Sequence, residues 1–474
     1  MKTYVAVVLE QTINAINVDD EDNEVVSLKT NKAYSNCLFV SPQIDEIITL
    51  LEIEKGCRAD FLDIECLDKE VRQSLTFVDT SKWVWSLSEM VKYYLNREIT
   101  WDEEHLKDIL VALKECFLAM KSKGKDEWSR IEQIELPVNR LLYKSQRRGF
   151  YVDKEAIKEE CEKCFSEKYH LKNRIQLELG QVVPNIHQYM LTIGIPEWKI
   201  NRYSKKIFAK DHQELKLYND LEKAERDFSY LMYMSSYRQD DKCKPIYKGF
   251  GTSTGRITMR DPALQNLNRK YRSFIKEPDV EENGWKYIYV DYSQFEAGIL
   301  AGFTKNKKLI KLYKDEQIYD KLGKIVGVDR DMAKTYFYCF VYGGIVCKGA
   351  EKFFEEYCSK SALDSIVEKA KTKGKIASLL GNNRILELDG ENKWVVNHLI
   401  QSTSSLIFKK ALLNVESINA DNIHLIMPMH DAALYLVKED VDENVVKRLF
   451  VEAFKEYLPD ITPIVKLKDY FGGE

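Results

Sequence analysis

The chain has 474 residues, 45% apolar and 31% charged, with a formal net charge of −4. That length allows two to four domains of about 150 residues each, and the balanced charge excludes a uniformly basic nucleic-acid binder, so any DNA or RNA contact must come from local basic faces. Ten scattered cysteines in so long a chain, with no signal peptide at its start, argue for a reducing cytosol rather than a disulfide scaffold, and no apolar run approaches the roughly 18 residues of a membrane span.

Tyr4–Leu9 reads as a strand, followed by an acidic, Asn-rich turn at Asn17–Asn23. From about 87 to 121 the pattern turns helical: Leu87, Met90, Val91, Tyr94 and Leu95 form one periodic set, and Leu106, Ile109, Leu110, Leu113 and Phe117 another. Gly124-Lys125 marks a break. The result is an N-terminal α/β unit of about 125 residues. Residues 130–240 are mostly helical and rich in charge, as in Asp153–Leu179 and Asp211–Tyr237. Arg147-Arg148 and Lys205-Lys206 suit an arm lying along a nucleic-acid backbone, although any single charge there reads first as a solvated helix face. Cys161-x-x-Cys164 has no second pair nearby, which disfavours a zinc site.

The residues that carry chemistry cluster from 245 onward. Thr254-Gly255-Arg256-Ile257-Thr258 precedes Asp261-Pro262-Ala263-Leu264-Gln265-Asn266. Asp-Pro marks a turn, and Arg256, Gln265 and Asn266 suit minor-groove acceptors and phosphates. A polar loop is the simpler alternative. Next, the β-rich run Trp285–Val290 delivers Asp291, with Tyr292-Ser293-Gln294-Phe295-Glu296 after it. A backbone carbonyl beside Asp291 completes a metal shell, and Glu296 closes one side of a sugar pocket. For a lone Asp at a strand end, a helix N-cap is the alternative.

Arg330, Lys334, Tyr338 and Tyr342 recur every four residues and share one helix face. The two cations suit phosphates and the two aromatics suit a base. Gly343-Gly344 ends the helix and leaves room for close approach. Aromatic stripes are commonly core, but paired cations on the same stripe argue against that. Finally, His424–Val437 reads as two strands presenting His430 and Asp431 at a hairpin tip. Asp291 and Asp431 stand 140 positions apart. Two carboxylates on rigid strands can grip two divalent cations, the arrangement for in-line phosphoryl transfer. The chain reads as a nucleotidyl transferase.

In this order the blocks resemble DNA polymerase family A, the bacterial DNA polymerase I family. Thr-Gly-Arg, Asp-Pro-x-Leu-Gln-Asn, Asp-Tyr-Ser-Gln-x-Glu, Arg-x3-Lys-x3-Tyr-x3-Tyr-Gly and His-Asp all match. Ile131–Pro137 and Arg148–Asp153 are similar to the start of that family's polymerase domain, so the resemblance spans about 131–474. It implies an α+β multidomain fold in the form of a right hand. The polymerase domain covers 126–474, with a thumb at about 150–245, a palm at about 246–315 and 395–474, and fingers at about 316–394.

The same resemblance implies roles. Asp291, Asp431 and the carbonyl of Tyr292 hold two Mg²⁺ ions, for which Mn²⁺ can substitute. Glu296 is the steric gate that selects dNTPs. Arg330 and Lys334 hold the triphosphate, Tyr338 packs on the incoming sugar and base, and Tyr342 sits near the template base. His430 touches the primer terminus. Arg256, Arg272, Gln265, Asn266, Asn397 and Gln401 follow the primer–template DNA. Tyr at position 338 goes with ready use of dideoxynucleotides. The setting implied is DNA replication in the cytoplasm of a bacterial cell or phage-infected host, away from membranes and with replisome partners left open.

Three positions depart from the family pattern. Ala432 stands where a Glu is usual, Gly298 where an Arg is usual, and Tyr319 where a His is expected. The stretch from Ile318 to Arg330 is short, so the fingers are abridged. None of these removes the metal carboxylates. In the N-terminal unit, 1–125, a 3′→5′ exonuclease would need about four carboxylates around two metals. The opening strand instead reads Val7-Val8-Leu9-Glu10-Gln11; Asp63-Ile64-Glu65 is a stray acidic pair and Asp108 a relic. The expectation is a shrunken, inactive exonuclease-like fold, with an unrelated accessory domain as the alternative. Two other readings compete for the whole chain. A single-subunit RNA polymerase has a similar palm, but Glu296 and Thr-Gly-Arg argue against it. A non-catalytic relic would have no reason to keep both Asp residues and both triphosphate cations.

Overall fold

The computed structural model describes residues 1–29, 34–51, 59–80, 83–179, 186–197, 200, 208–209, 212–235, 242–275, 280, 283–342, 348–358, 360–388, 390, 392, 394–418 and 421–472. Lys205-Lys206, Gly343-Gly344 and the side chain of Asn266 lie outside them.

Strands β1 (Lys2–Leu9) and β2 (Thr12–Asn17) form an antiparallel hairpin through Glu10-Gln11, whose φ values of 45° and 60° suit a two-residue turn. β3 (Val26–Leu28) extends one edge; β4 (Cys37–Ser41) and β5 (Asp60–Asp63) add in parallel on the other, giving the order β3-β2-β1-β4-β5. Along β1, Val5 and Val7 face one side and Ala6 and Val8 the other, and all four are buried. This sheet is therefore covered on both faces. Helix α1 (Ile44–Leu50) packs with Ala6 and Val8; α2 (Ile64–Leu75), α3 (Leu87–Leu95) and α4 (Leu106–Lys123) pack with Val5 and Val7.

From α5 (Lys125–Arg130) the chain passes through a π turn at Ile131–Glu135 into α6 (Leu136–Arg148). Pro137 lacks the amide hydrogen that the carbonyl four residues back would accept, and the helix widens there. This rod joins two cores. Ile131 and Leu136 belong to the N-terminal one, while Ile134, Val138 and Leu142 belong to the large one that follows.

Next, β6 (Phe150–Tyr151) and β7 (Lys242–Cys243) pair at the base of a helical arm. Its helices are α7 (Lys154–Leu179), α8 (Ile186–Thr192) and α9 (Gln213–Ser235). Cys161 and Cys164 sit in the apolar core, and Cys164 shares a 3.1 Å hydrogen bond with the Tyr271 hydroxyl. β8 (Ile246–Lys248) and β9 (Thr258–Arg260) flank the Thr-Gly-Arg loop.

The C-terminal half rests on β10 (Trp285–Ser293). Four helices follow it: α10 (Phe295–Thr304), α11 (Lys307–Lys314), α12 (Ile318–Val326) and α13 (Arg330–Val341). Then come α14 (Lys348–Tyr357), α15 (Lys360–Lys373), the hairpin β11 (Lys375–Ser378) and β12 (Gly381–Ile385), and α16 (Val395–Glu416). β13 (Ile423–Met429), β14 (Ala432–Lys438), α17 (Glu443–Tyr457) and β15 (Ile464–Lys468) complete the chain. The second sheet is antiparallel, in the order β13-β14-β10-β15. Tyr292 faces α17: its ring stacks on Phe295 at 4.2 Å and its hydroxyl donates to the Phe450 carbonyl. Side chains alternate along a strand, so Asp291 faces the opposite way.

Candidate active site

Strand register brings the two aspartates together. Asp291 lies opposite Ala432, and the Tyr292 amide donates to the Asp431 carbonyl at 3.1 Å. His430 and Asp431 are the two turn residues between β13 and β14, which pair through Met429 and Ala432. Asp291 accepts an ion pair from Lys468. On β15, Lys468 stands opposite Tyr289, diagonal to Asp291 on the same sheet face. Asp431 has no such contact among the described residues. Its pKa is pushed up to about 7, first by burial and then by the Asp291 and Glu296 charges.

Above the hairpin stands α13, whose first turn is capped by Asp329 on the Met332 amide at 2.8 Å. Met332, Ala333, Phe337 and Val341 are buried. Lys334, Tyr338 and Tyr342 face a cleft of about 830 Å³, opposite Arg256, Glu296 and Asp431, with the exposed His430 also in its lining. The Tyr338 and Tyr342 rings lie 5.8 Å apart. Arg330 occupies the outer end of the same face. It is half exposed, 3.6 Å from Asp320, with its guanidinium over the Tyr319 ring.

Buried Glu296 accepts from both Arg256 and the Tyr342 hydroxyl. Arg256 therefore reaches into the cleft beside Glu296. Gln401 on α16 bonds Tyr342 and accepts from Thr254 at 3.5 Å. The remaining predicted contacts are dispersed. Gln265 lies in the 3₁₀ turn Leu264–Asn266. Arg272 is held over the rings of Tyr289 (5.5 Å) and Tyr470 (4.7 Å). The buried Asn397 side-chain oxygen has no hydrogen-bond partner among the described residues.

Several residues of the site went unnoticed in the sequence. Thr335 and Ser404 also line the cleft. Gln73, from the N-terminal unit, donates to the Ser253 carbonyl (3.0 Å) and the Asn382 side chain (2.6 Å), and so supports the Thr-Gly-Arg loop. Only Lys468 had a legible signal, the alternation of Lys466 and Lys468 along the last strand. In the N-terminal unit the candidate acids are scattered. Glu10 is an exposed turn residue and Asp108 is exposed on α4. Asp63 caps α2 at the Glu65 amide (2.8 Å) and lies 3.4 Å from Lys248, which also pairs with Glu65.

The sequence profile of DNA polymerase family A matches residues 204–459. The chain belongs to DNA polymerase family A. DNA polymerase I of Helicobacter pylori is 25% identical over 77% of this chain and 48% of its own length. For DNA polymerase I of Caldicellulosiruptor bescii the figures are 24%, 94% and 60%. This family A polymerase thus spans about half the length of the curated relatives it matches. The POL domain of Pol1 from M. smegmatis, solved in complex with DNA primer-template and dNTP, superposes with a TM-score of 0.77 at 17% identity, covering 98% of this chain and 94% of that one. The α+β polymerase fold is shared across that distance.

Family A polymerases generally use divalent metal ions. The donor set here fits them. Asp291 and Asp431 adjoin where the β13–β14 turn meets β10, and a bound cation would offset both the burial and the added Asp291 repulsion that raise Asp431. Among the described residues, no helix is long and apolar enough to cross a membrane.

Proposed function

We propose that the chain is a template-directed DNA polymerase that adds dNTPs to a primer 3′-OH at two divalent ions, Mg²⁺ or in its place Mn²⁺, held by Asp291, Asp431 and the Tyr292 carbonyl. The supporting observation is the cleft in which Asp431 faces Lys334, Tyr338 and Tyr342 on one helix. When bound, the ions activate the attacking oxygen and stabilise the leaving one. Lys334 and Arg330 neutralise the triphosphate as it lies along α13. Tyr338 packs under the sugar and base, and Tyr342 stands toward the template base. Glu296, fixed by Arg256 and Tyr342, crowds the 2′ position and rejects ribose. His430 meets the primer terminus, and Arg256, Gln265, Asn266, Arg272, Asn397 and Gln401 track the duplex.

The domain assignment follows the same reading. The thumb is the α7–α9 arm, the palm β8–β9, α10 and α11 with the second sheet, α16 and α17, and the fingers α12–α15 with the β11–β12 hairpin. The 1–125 unit is a reduced exonuclease-like domain without activity, supported by the use of Asp63 and Glu65 in structure.

The test is extension of a 5′-labelled primer on a DNA template with Mg²⁺. Extension with dNTPs, absent with rNTPs and lost in Asp431→Ala, is the expected result. Shortening of the primer when dNTPs are omitted would show that the N-terminal unit is a live exonuclease.

A further inference from the structure

We propose that Tyr319 is a positioning residue of the nucleotide site, its ring carrying Arg330 and its hydroxyl fixing that of Tyr338. The inference rests on reading the cleft as a nucleotide site. Arg330 and Tyr338 stand eight residues apart on α13, about 12 Å along the axis at 1.5 Å per residue. Tyr319, on the neighbouring helix α12, touches both. It is 2% exposed, wedged edge-on against Phe337 at 5.6 Å. Its ring centroid lies 5.5 Å from the Arg330 guanidinium, and its hydroxyl donates to the Tyr338 hydroxyl at 3.2 Å.

Each contact answers a need of α13. The Arg330 side chain is 51% exposed, and its ion pair with Asp320 is long at 3.6 Å. A screened, loose pair of that kind holds an arginine weakly. The aromatic face gives the planar guanidinium a second surface, which an ammonium would use less well. The Tyr338 hydroxyl is a freely rotating donor and acceptor unless a neighbour sets it. With one lone pair engaged by Tyr319, its own proton is left to point elsewhere, on the side of the molecule where Tyr338 lines the cleft. One buried side chain thus orients a phosphate contact and a sugar contact together.

The two halves of the proposal separate by substitution. Tyr319→Phe keeps the ring and removes the hydroxyl; Tyr319→Leu removes both. Two readouts follow them: the ratio of dideoxynucleotide to deoxynucleotide use in primer extension, and inhibition by inorganic tripolyphosphate, which has no sugar. Tyr319→Phe is expected to lower the dideoxy ratio about two- to tenfold, the weight of one hydrogen bond, with tripolyphosphate inhibition unchanged. Tyr319→Leu is expected to give the same sugar effect and to weaken tripolyphosphate about two- to fivefold, as for an exposed cation–π contact. Arg330→Lys, at an exposed position that does not threaten folding, should match Tyr319→Leu on tripolyphosphate and leave the dideoxy ratio alone.

Wild-type ratios in Tyr319→Phe, or a Tyr319→Phe defect in tripolyphosphate binding equal to that of Tyr319→Leu, would overturn the proposal. Failure of the wild-type protein to extend any primer would instead remove the nucleotide-site reading beneath it. Circular dichroism melting of each variant identifies one that has lost its fold, in which case Arg330→Lys and Tyr319→Phe decide.

Discussion

Two acidic clusters in this molecule have the same arithmetic and opposite fates. At the seam between the N-terminal unit and the rest of the chain, Glu70, Glu127 and Glu135 meet Arg130 and Lys409, all almost fully buried. Arg130 bonds all three carboxylates, and Lys409 holds Glu135 through both oxygens at 2.8 and 2.6 Å. Glu127 also accepts the Asn382 and Asn383 amides at 2.7 and 2.8 Å. Three carboxylates face two cations. Glu70, with the fewest partners, is pushed up to about 8 by burial, so a proton on it makes the cluster neutral.

At the cleft, the three carboxylates Asp291, Asp431 and Glu296 again have two cations in direct contact, Lys468 and Arg256, while Lys334 acts on Asp431 from a distance. Here the carboxylate left over, Asp431, opens onto a cleft instead of being sealed. An excess charge in a closed seam is removed by a proton. The same excess at an open cleft can be relieved by a cation from outside, which is the difference between a structural and a chemical site.

The sharpest break in that comparison comes from neutralising an acid of the cleft. Asp431→Asn or Asp291→Asn should cost primer extension at least about 1,000-fold, roughly 4 kcal/mol of barrier, with a melting temperature no lower than wild type. At the seam the cost should be stability instead. Arg130→Met strands buried carboxylates and should destabilise by about 3–5 kcal/mol in chemical denaturation. Glu70→Gln removes a group already neutral and should cost far less; equal losses for the two would end the proton assignment.

Acidity separates the clusters next. Asp431 and Glu70 both have raised values, so at these two groups the folded, metal-free protein holds more protons than the unfolded chain between about pH 4 and 8. The stability they contribute is complete below the unfolded values and is lost as pH rises through about 7 and about 8. Mg²⁺ should restore the share of Asp431 alone. Below pH 7 the ion must displace a proton, so the Mg²⁺ needed for half-maximal extension should rise about tenfold per unit of acidification; a flat requirement from pH 6 to 8 would contradict the raised Asp431.

The smallest effect tests the bridge between the regions. Gln73→Ala removes two hydrogen bonds to the C-terminal half and should lower stability by about 1–2 kcal/mol, with kcat held within about threefold, a limit of less than 1 kcal/mol on the barrier.

Much of the site was legible before the fold was known, because its chemistry is written in local periodicity. The four-residue spacing of Arg330, Lys334, Tyr338 and Tyr342 places them on one helix face wherever that helix lies, and three of the four line the cleft. The alternation of β10 commits Asp291 to one face and Tyr292 to the other. Other partnerships carry no such mark. Gln73 meets Asn382 across 309 positions, and Lys409 meets Glu135 across 274. Arg256 reads equally well as a groove contact or as the partner of Glu296, and only the tertiary placement of the Thr-Gly-Arg loop, held by Gln73, Gln401 and Ser405, brings it onto that carboxylate. Tyr319 shows itself in the sequence only as a departure from a pattern; its meaning comes from the ring and hydroxyl it presents to α13. The sequence by itself determined which side chains share a face, since backbone geometry repeats every 2 or 3.6 residues. The tertiary structure decided which faces meet, since that depends on how whole elements bury their apolar sides, and it thereby assigned one carboxylate cluster to the seam and the other to the cleft.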